Sequence, residues 1–141
     1  MRTFLKNNIL YAAWTTSVLS FVGSIFFSNV LNFPPCVLCW YQRICMYPLA
    51  VILGVGILKK DKNVLWYAAP LAVVGWAVSI YHNLLYYNIL PESAAPCVAG
   101  VSCTTKFIEY FGFITIPFLS FAGFSVILIS LIIYRQLNKY E

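Results

Sequence analysis

Cysteines are the residues with the clearest chemical potential in this chain of 141 amino acids. Cys36 and Cys39 form a C-x-x-C motif, and Cys97 and Cys103 form a second pair with five residues between them. Thiolates in such pairs can form structural disulfides, ligate a metal ion or exchange disulfides with another protein. Cys45 lies deeper in an apolar stretch and is interpreted as a small packing residue. The two pairs are therefore the candidate functional groups.

The C-x-x-C motif lies where a helix is predicted to begin, directly after Pro34 and Pro35. Free N–H groups and the helix dipole stabilise a thiolate at such a position, which makes the cysteine a better nucleophile. Arg43 follows Cys39 by four residues, so the two share one helix face. Its guanidinium could anchor the helix at the lipid headgroups, or face either the Cys39 thiolate or an oxygen of a bound acceptor. This arrangement favours redox exchange.

His82 is the single histidine of the chain and lies toward the end of a predicted membrane span. Ionisable residues inside spans are costly and usually functional, although a hydrogen-bonded packing role explains a lone histidine equally well. Its expected depth in the membrane is similar to that of Cys39 and Arg43. We therefore expect these three residues to converge on one pocket.

The paired cysteines could instead have one of two other roles. A zinc ion could be held by all four thiolates, but the pairs are predicted to face an oxidising compartment and no loop histidine or aspartate assists, so we expect no metal. Structural disulfides could brace the loops, although a disulfide between residues as near in sequence as Cys97 and Cys103 would constrain the unfolded chain little. A non-catalytic membrane protein with two structural disulfides is the alternative function.

Redox exchange requires an electron acceptor. The sequence has no dinucleotide fingerprint, no c-type haem motif and no iron–sulfur run of cysteines. A lipid-soluble two-electron carrier fits best, and quinone is the obvious candidate because it reaches the site from the bilayer.

The composition indicates a membrane protein, with most of its surface in contact with lipid. Hydrophobic residues make up 62% and charged residues 9% of the sequence, whereas about 25% of an ordinary soluble domain is charged. The nine Lys and Arg residues form short clusters rather than a basic stripe, which argues against nucleic acid. Predominantly apolar stretches predict a single all-α membrane domain over residues 1–141, a bundle of four spans at about residues 9–30, 38–58, 65–86 and 112–134.

The distribution of basic residues predicts orientation, because cytoplasmic loops carry the excess of Lys and Arg. Only Arg43 and Lys106 fall on one side of the four spans, and the other seven of the nine fall on the opposite side. Both termini are then cytoplasmic, and loops at about 31–37 and 87–111 face outward with the cysteine pairs. We expect the first span to be retained, since its apolar stretch exceeds that of a cleaved signal peptide.

The segment CVLCWYQR at residues 36–43, which opens the second span, resembles the C-x-x-C-x-x-x-R signature of the DsbB/BdbC family of bacterial disulfide-forming membrane proteins. Tyr81, His82 and Asn83 resemble the histidine region of that family, and the cysteine pair of the second outward loop completes the pattern. The resemblance extends over the whole chain.

This resemblance implies a relay of thiols. Cys36 and Cys39 would form one disulfide, and Cys97 and Cys103 the other. A reduced thioredoxin-fold thiol oxidase of the DsbA/BdbD type would attack Cys97, Cys103 would pass electrons to Cys36, and Cys39 would pass them to quinone. Arg43 and His82 would position or polarise the quinone.

The implied protein is a thiol:quinone oxidoreductase of the bacterial cell membrane that supports disulfide formation in secreted proteins. The best-known members have a longer segment between their two loop cysteines. The six-position separation of Cys97 and Cys103 resembles the shorter forms of Gram-positive bacteria, which implies menaquinone rather than ubiquinone.

Overall fold

Four long α-helices make up most of the computed structural model, which describes residues 1–91, 93 and 114–140. Each is long and apolar enough to cross a membrane. The helices are α1 (Arg2–Asn29), α2 (Val37–Lys59), α3 (Val64–Tyr86) and α4 (Ile116–Lys139). At 23 to 28 residues, each extends about 35–42 Å. The predicted all-α architecture with four membrane-spanning helices is confirmed, while the positions at which lipid begins and ends stay predictions.

Local sequence explains where the helices begin and end. Pro34 and Pro35 lie in the non-helical segment before α2, which begins directly after Cys36. The Thr115 hydroxyl accepts a hydrogen bond from the Phe118 N–H at 3.3 Å and caps α4. These two helix starts lie at the same end of the bundle, which is called the cysteine end below.

The connection between α2 and α3 is a tight turn at the opposite end. Lys60 adopts a left-handed backbone conformation with φ 51°, and the Asp61 carboxylate accepts a hydrogen bond from the Asn63 N–H at 2.8 Å. The first residues of α1 and the last residues of α4 lie at this end as well. Most basic residues are thus about 35 Å from the cysteine end.

Each helix packs against two neighbours, in the cyclic order α1, α2, α3, α4. Small residues permit close approach: a Cβ at Gly75 of α3 would overlap the buried Phe124 ring of α4. Polar side chains join α3 to α4 as well, because the Asn83 amide donates to the Pro117 carbonyl at 2.9 Å. These contacts hold α4 against the end of α3 that carries His82.

The surface that the helices turn away from the core of the bundle is apolar. Large hydrophobic side chains lie exposed along all four helices, among them Leu19, Phe26, Ile44, Val51, Trp66, Val74, Ile129 and Ile132. A continuous apolar surface of this kind is unfavourable in water and matches the hydrocarbon of a bilayer.

Candidate functional site

A cavity of about 340 Å³ opens within the cysteine end of the bundle. All four helices contribute to its wall, together with Phe33, Pro34 and Pro35 of the segment before α2. Its lining is mostly apolar, with a few polar side chains among aliphatic and aromatic ones. Pockets of this size and character commonly bind small organic molecules.

Cys36 and Cys39 lie side by side on the cavity wall. Cys36 is the N-cap residue of α2 and is buried, whereas Cys39 is half-buried in the first turn. Their sulfur atoms are 3.2 Å apart and both thiols are free. The i, i+3 spacing across a helix start therefore places the two sulfurs where small side-chain rotations would form or open a disulfide.

His82 reaches the same thiol pair from α3. The imidazole is only 2% exposed, and its Nε2 lies 3.8 Å from the Cys36 sulfur. The hydrogen bond with the Cys39 thiol lowers the pKa of Cys36 to about 4 against the opposing effect of burial, and His82 adds to this decrease. The structure thus surrounds Cys36 with groups that favour its thiolate.

Gln42 contacts the other ring nitrogen of His82. Its amide nitrogen lies 3.3 Å from Nδ1 of His82, and both side chains are buried. This contact crosses from α2 to α3 and fixes the ring orientation relative to Cys36. A buried imidazole with both ring nitrogens contacted is positioned for proton transfer or ligation.

Arg43 lies half-buried between α2 and α1. Its Nη2 donates to the Ser24 carbonyl at 3.1 Å and to the Ser28 hydroxyl, and its guanidinium carbon lies 5.4 Å from the centre of the Trp40 ring. The Nε atom is buried and has no hydrogen-bond partner among the described residues. Arg43 therefore lies against α1 and is also one of the residues that line the cavity.

The predicted pocket residues thus come together: Cys36, Cys39, Arg43 and His82 all line this one cavity. Cys45 lies elsewhere, buried in the hydrophobic core of the bundle. The other predicted site residues, Cys97 and Cys103, lie outside the described residues.

Sequence reasoning assigned no individual role to three polar residues of the site. Gln42 enters the sequence pattern only as a member of the CVLCWYQR segment, and Ser24 and Ser28 belong to no motif. The available signal was position: Gln42 directly precedes Arg43 in an apolar span, and the two serines lie in the last turns of α1 at the cysteine end.

The donor set of the site also suits a metal ion. The sulfurs of Cys36 and Cys39 and a ring nitrogen of His82 all lie within 4.8 Å of one another. This set differs from the four-cysteine arrangement weighed from the sequence, since it includes the histidine and only one cysteine pair.

Comparison with known proteins connects this site to a family. The family model described as disulfide bond formation protein DsbB matches residues 6–134. Disulfide bond formation protein C of Bacillus subtilis is 45% identical over 127 residues, which are 89% of this chain and 92% of that protein. Probable disulfide formation protein C of Halalkalibacterium halodurans is 43% identical over 130 residues, or 92% and 95% of the two chains.

The similarity spans nearly the whole of each protein. Probable disulfide formation protein C 2 of Bacillus anthracis is 44% identical over 97% of this chain and 99% of its own length. No solved structure matches the sequence significantly. The family match, together with free cysteines that share a cavity in a four-helix membrane bundle, shows that the chain belongs to the DsbB family of membrane proteins that form disulfide bonds.

Proposed function

We propose that this protein is a thiol:quinone oxidoreductase: it re-oxidises an extracytoplasmic thioredoxin-fold thiol oxidase and transfers the electrons to a membrane quinone. The observation that carries the proposal is the shared cavity of Cys39, Arg43 and His82, which lies inside an apolar bundle. The names of the relatives support disulfide formation as the outcome.

The cavity suits a quinone head group. Apolar walls accommodate the ring, and Arg43 is one of the few polar residues that line them. A quinone carbonyl oxygen beside the guanidinium would accept a hydrogen bond from it, and the positive charge would stabilise the negative charge that develops on that oxygen. When bound, quinone would supply the oxidising capacity by taking up two electrons and two protons.

The protein's own groups account for the remaining steps. Formation of the Cys36–Cys39 disulfide releases two electrons and two protons from the two thiols, which equals what conversion to hydroquinone consumes. Cys39 is the more exposed member of the pair and lines the cavity, which supports it as the thiol that would pass electrons to the quinone. His82 Nε2 can hold the proton of the Cys36 thiol, because it lies 3.8 Å from that sulfur.

The second cysteine pair connects this site to the partner in the proposal. Cys97 and Cys103 would receive electrons from a DsbA/BdbD-like oxidase and pass them to Cys36 by thiol–disulfide exchange. The cysteine end would face outward from the bacterial cell membrane, where disulfides persist. Menaquinone is the proposed acceptor and ubiquinone the alternative.

The test mixes the purified full-length protein with a reduced thioredoxin-fold oxidase and menaquinone or ubiquinone, and follows quinone absorbance. We expect one quinone reduced per oxidase disulfide formed, and no turnover by Cys39→Ser. Cys45→Ala is the matched control, because it removes a buried thiol outside the cavity and should turn over at the parent rate. Quinone reduction by Cys39→Ser at the parent rate would contradict the proposal.

A further inference from the structure

We propose that the dithiol form of this protein binds one Zn²⁺ ion through Cys36, Cys39 and His82, and that the bound ion prevents re-oxidation of the thiol pair. Zinc bound at this site would therefore inhibit the protein. Metal binding does not depend on quinone as the acceptor, whereas the inhibitory consequence rests on the proposed function.

The donor geometry is close to that of a zinc site. The two sulfurs are 3.2 Å apart, and Nε2 of His82 lies 3.8 Å from the Cys36 sulfur. Tetrahedral zinc with bonds of about 2.3 Å to sulfur and about 2.0 Å to nitrogen requires donors about 3.8 Å and about 3.5 Å apart, respectively. Both measured distances lie within about 0.6 Å of those values, a difference that side-chain rotation can remove.

The surroundings of the donors support ligation. The Gln42 amide nitrogen lies 3.3 Å from Nδ1 of His82. With the amide flipped, its oxygen would accept from Nδ1–H, and Nε2, the ring nitrogen nearer the thiols, would be the one with a lone pair to offer a metal. The cavity beside the donors leaves room for a water molecule as fourth ligand and provides a path of entry. Two thiolates neutralise the charge of Zn²⁺, so Arg43 on the same wall meets no net positive charge.

Oxidation and metal binding are mutually exclusive at this site. A disulfide between Cys36 and Cys39 removes both thiolate ligands, whereas zinc ligation occupies both sulfurs and keeps them in the reduced state. Zinc itself changes no oxidation state: binding displaces up to two protons from the thiols and transfers no electrons. The affinity for zinc is therefore a direct measure of the redox state of the pair.

The test uses full-length protein in detergent with Cys97→Ser and Cys103→Ser, so that the second pair supplies no ligands. Zn²⁺ is titrated in competition with a chromogenic chelator, before and after oxidation of the remaining pair. We expect one ion per chain in the dithiol form and at least a tenfold weaker affinity after oxidation. Both redox states are compared in the same double variant, so a difference in folding between variants cannot account for the result.

Ligand assignment needs two substitutions in the same background. His82→Ala should weaken zinc binding to the dithiol form at least tenfold, while Cys45→Ala should leave it unchanged, because Cys45 is buried in the core and lies outside the cavity. His82→Gln repeats the first substitution with a side chain that fills more of the buried site. Equal affinity of the dithiol and disulfide forms, or undiminished affinity in both His82 variants, would overturn the proposal.

Activity separates this inference from the proposed function. Zn²⁺ should inhibit quinone reduction by the wild-type protein, and a chelator should restore it. A protein that reduces quinone but binds no zinc overturns only the zinc site. A dithiol form that binds zinc in a protein unable to reduce quinone overturns only the proposed reaction.

Discussion

Among single residues, Arg43 combines hydrogen bonds to a neighbouring helix with a place on the cavity wall. Its Nη2 is held by α1, through the Ser24 carbonyl and the Ser28 hydroxyl, while Nε has no partner among the described residues. Two roles were compatible with the sequence, an interfacial anchor and a partner for a negative group. The position of the guanidinium at the cavity wall, held against α1, favours the second role.

Substitution of Arg43 by Gln tests that role. Loss of a charge-assisted hydrogen bond to the quinone oxygen, worth about 1.5–3 kcal/mol, should raise the apparent KM for quinone about 10- to 150-fold. Disulfide exchange with the thiol oxidase, measured without quinone by trapping free thiols, should be largely retained. An unchanged KM would support the anchor role instead.

Gln42 is expected to act through His82, since its amide contacts Nδ1 of the buried ring. Gln42→Leu should lower kcat several-fold and change the pH profile of turnover, because Nδ1 would lose its partner and the ring its orientation. Gln42→Glu keeps a polar partner beside Nδ1, an oxygen that would accept from Nδ1–H, and should restore most of the activity. Equal kcat and identical pH profiles for the wild type and Gln42→Leu would show that Gln42 has no positioning role.

At the scale of helices, two glycines differ in what surrounds them. A Cβ at Gly75 of α3 would overlap the Phe124 ring, whereas a Cβ at Gly23 of α1 would meet nothing within 4 Å. Gly23 instead lines the cavity. One glycine therefore permits α3 and α4 to approach each other, and the other leaves space beside the thiols.

The two glycines should respond differently to alanine. Gly75→Ala should lower the free energy of unfolding by about 1–3 kcal/mol through overpacking, while Gly23→Ala should change it by less than about 0.5 kcal/mol. Unfolding of the purified protein in detergent, followed by circular dichroism, measures both. Equal destabilisation by the two substitutions would contradict this difference in packing.

A larger side chain at Gly23 tests the cavity directly. Gly23→Leu should raise the apparent KM for quinone at least several-fold, since the new side chain enters the space that the ring would occupy. Val22→Leu is the matched control, because Val22 is 55% exposed on the outer face of α1 and does not line the cavity. Similar KM values for both variants would place quinone elsewhere.

For the whole molecule, the separation of charge and thiols along the bundle is the central feature. The turn with Lys59, Lys60 and Lys62 lies at one end, and the cavity with Cys36 lies at the other. Cytoplasmic loops carry the excess of positive residues. The bundle should therefore insert with the cavity end outward.

Orientation can be measured by labelling. In a chain without its native cysteines, Asn88→Cys should react with a membrane-impermeant maleimide in intact cells, and Lys60→Cys should react only after permeabilisation. Both residues lie in turns next to helix ends. The reverse pattern would place the cavity on the cytoplasmic side.

Much of the fold could be predicted from composition, because the exclusion of charge from spans is a local property of the chain. The apolar stretches predicted four membrane-spanning helices, and the prolines before Cys36 indicated where α2 begins. Spacing along α2 placed Arg43 on the face of Cys39. These inferences needed only helix periodicity and the cost of charge in lipid.

The tertiary structure decided what the sequence left open. Whether His82 packs or faces the thiols depends on how α3 is rotated against α2, and its 3.8 Å contact with Cys36 results from that rotation. The roles of Gln42, Ser24 and Gly23 likewise depend on neighbours from other helices. Sequence alone determined the lipid surroundings and the helices, and it identified the C-x-x-C thiols as candidates for redox chemistry, because these inferences follow from local chemistry. The cavity and its donor set depended on the packing of four helices, which no single segment encodes.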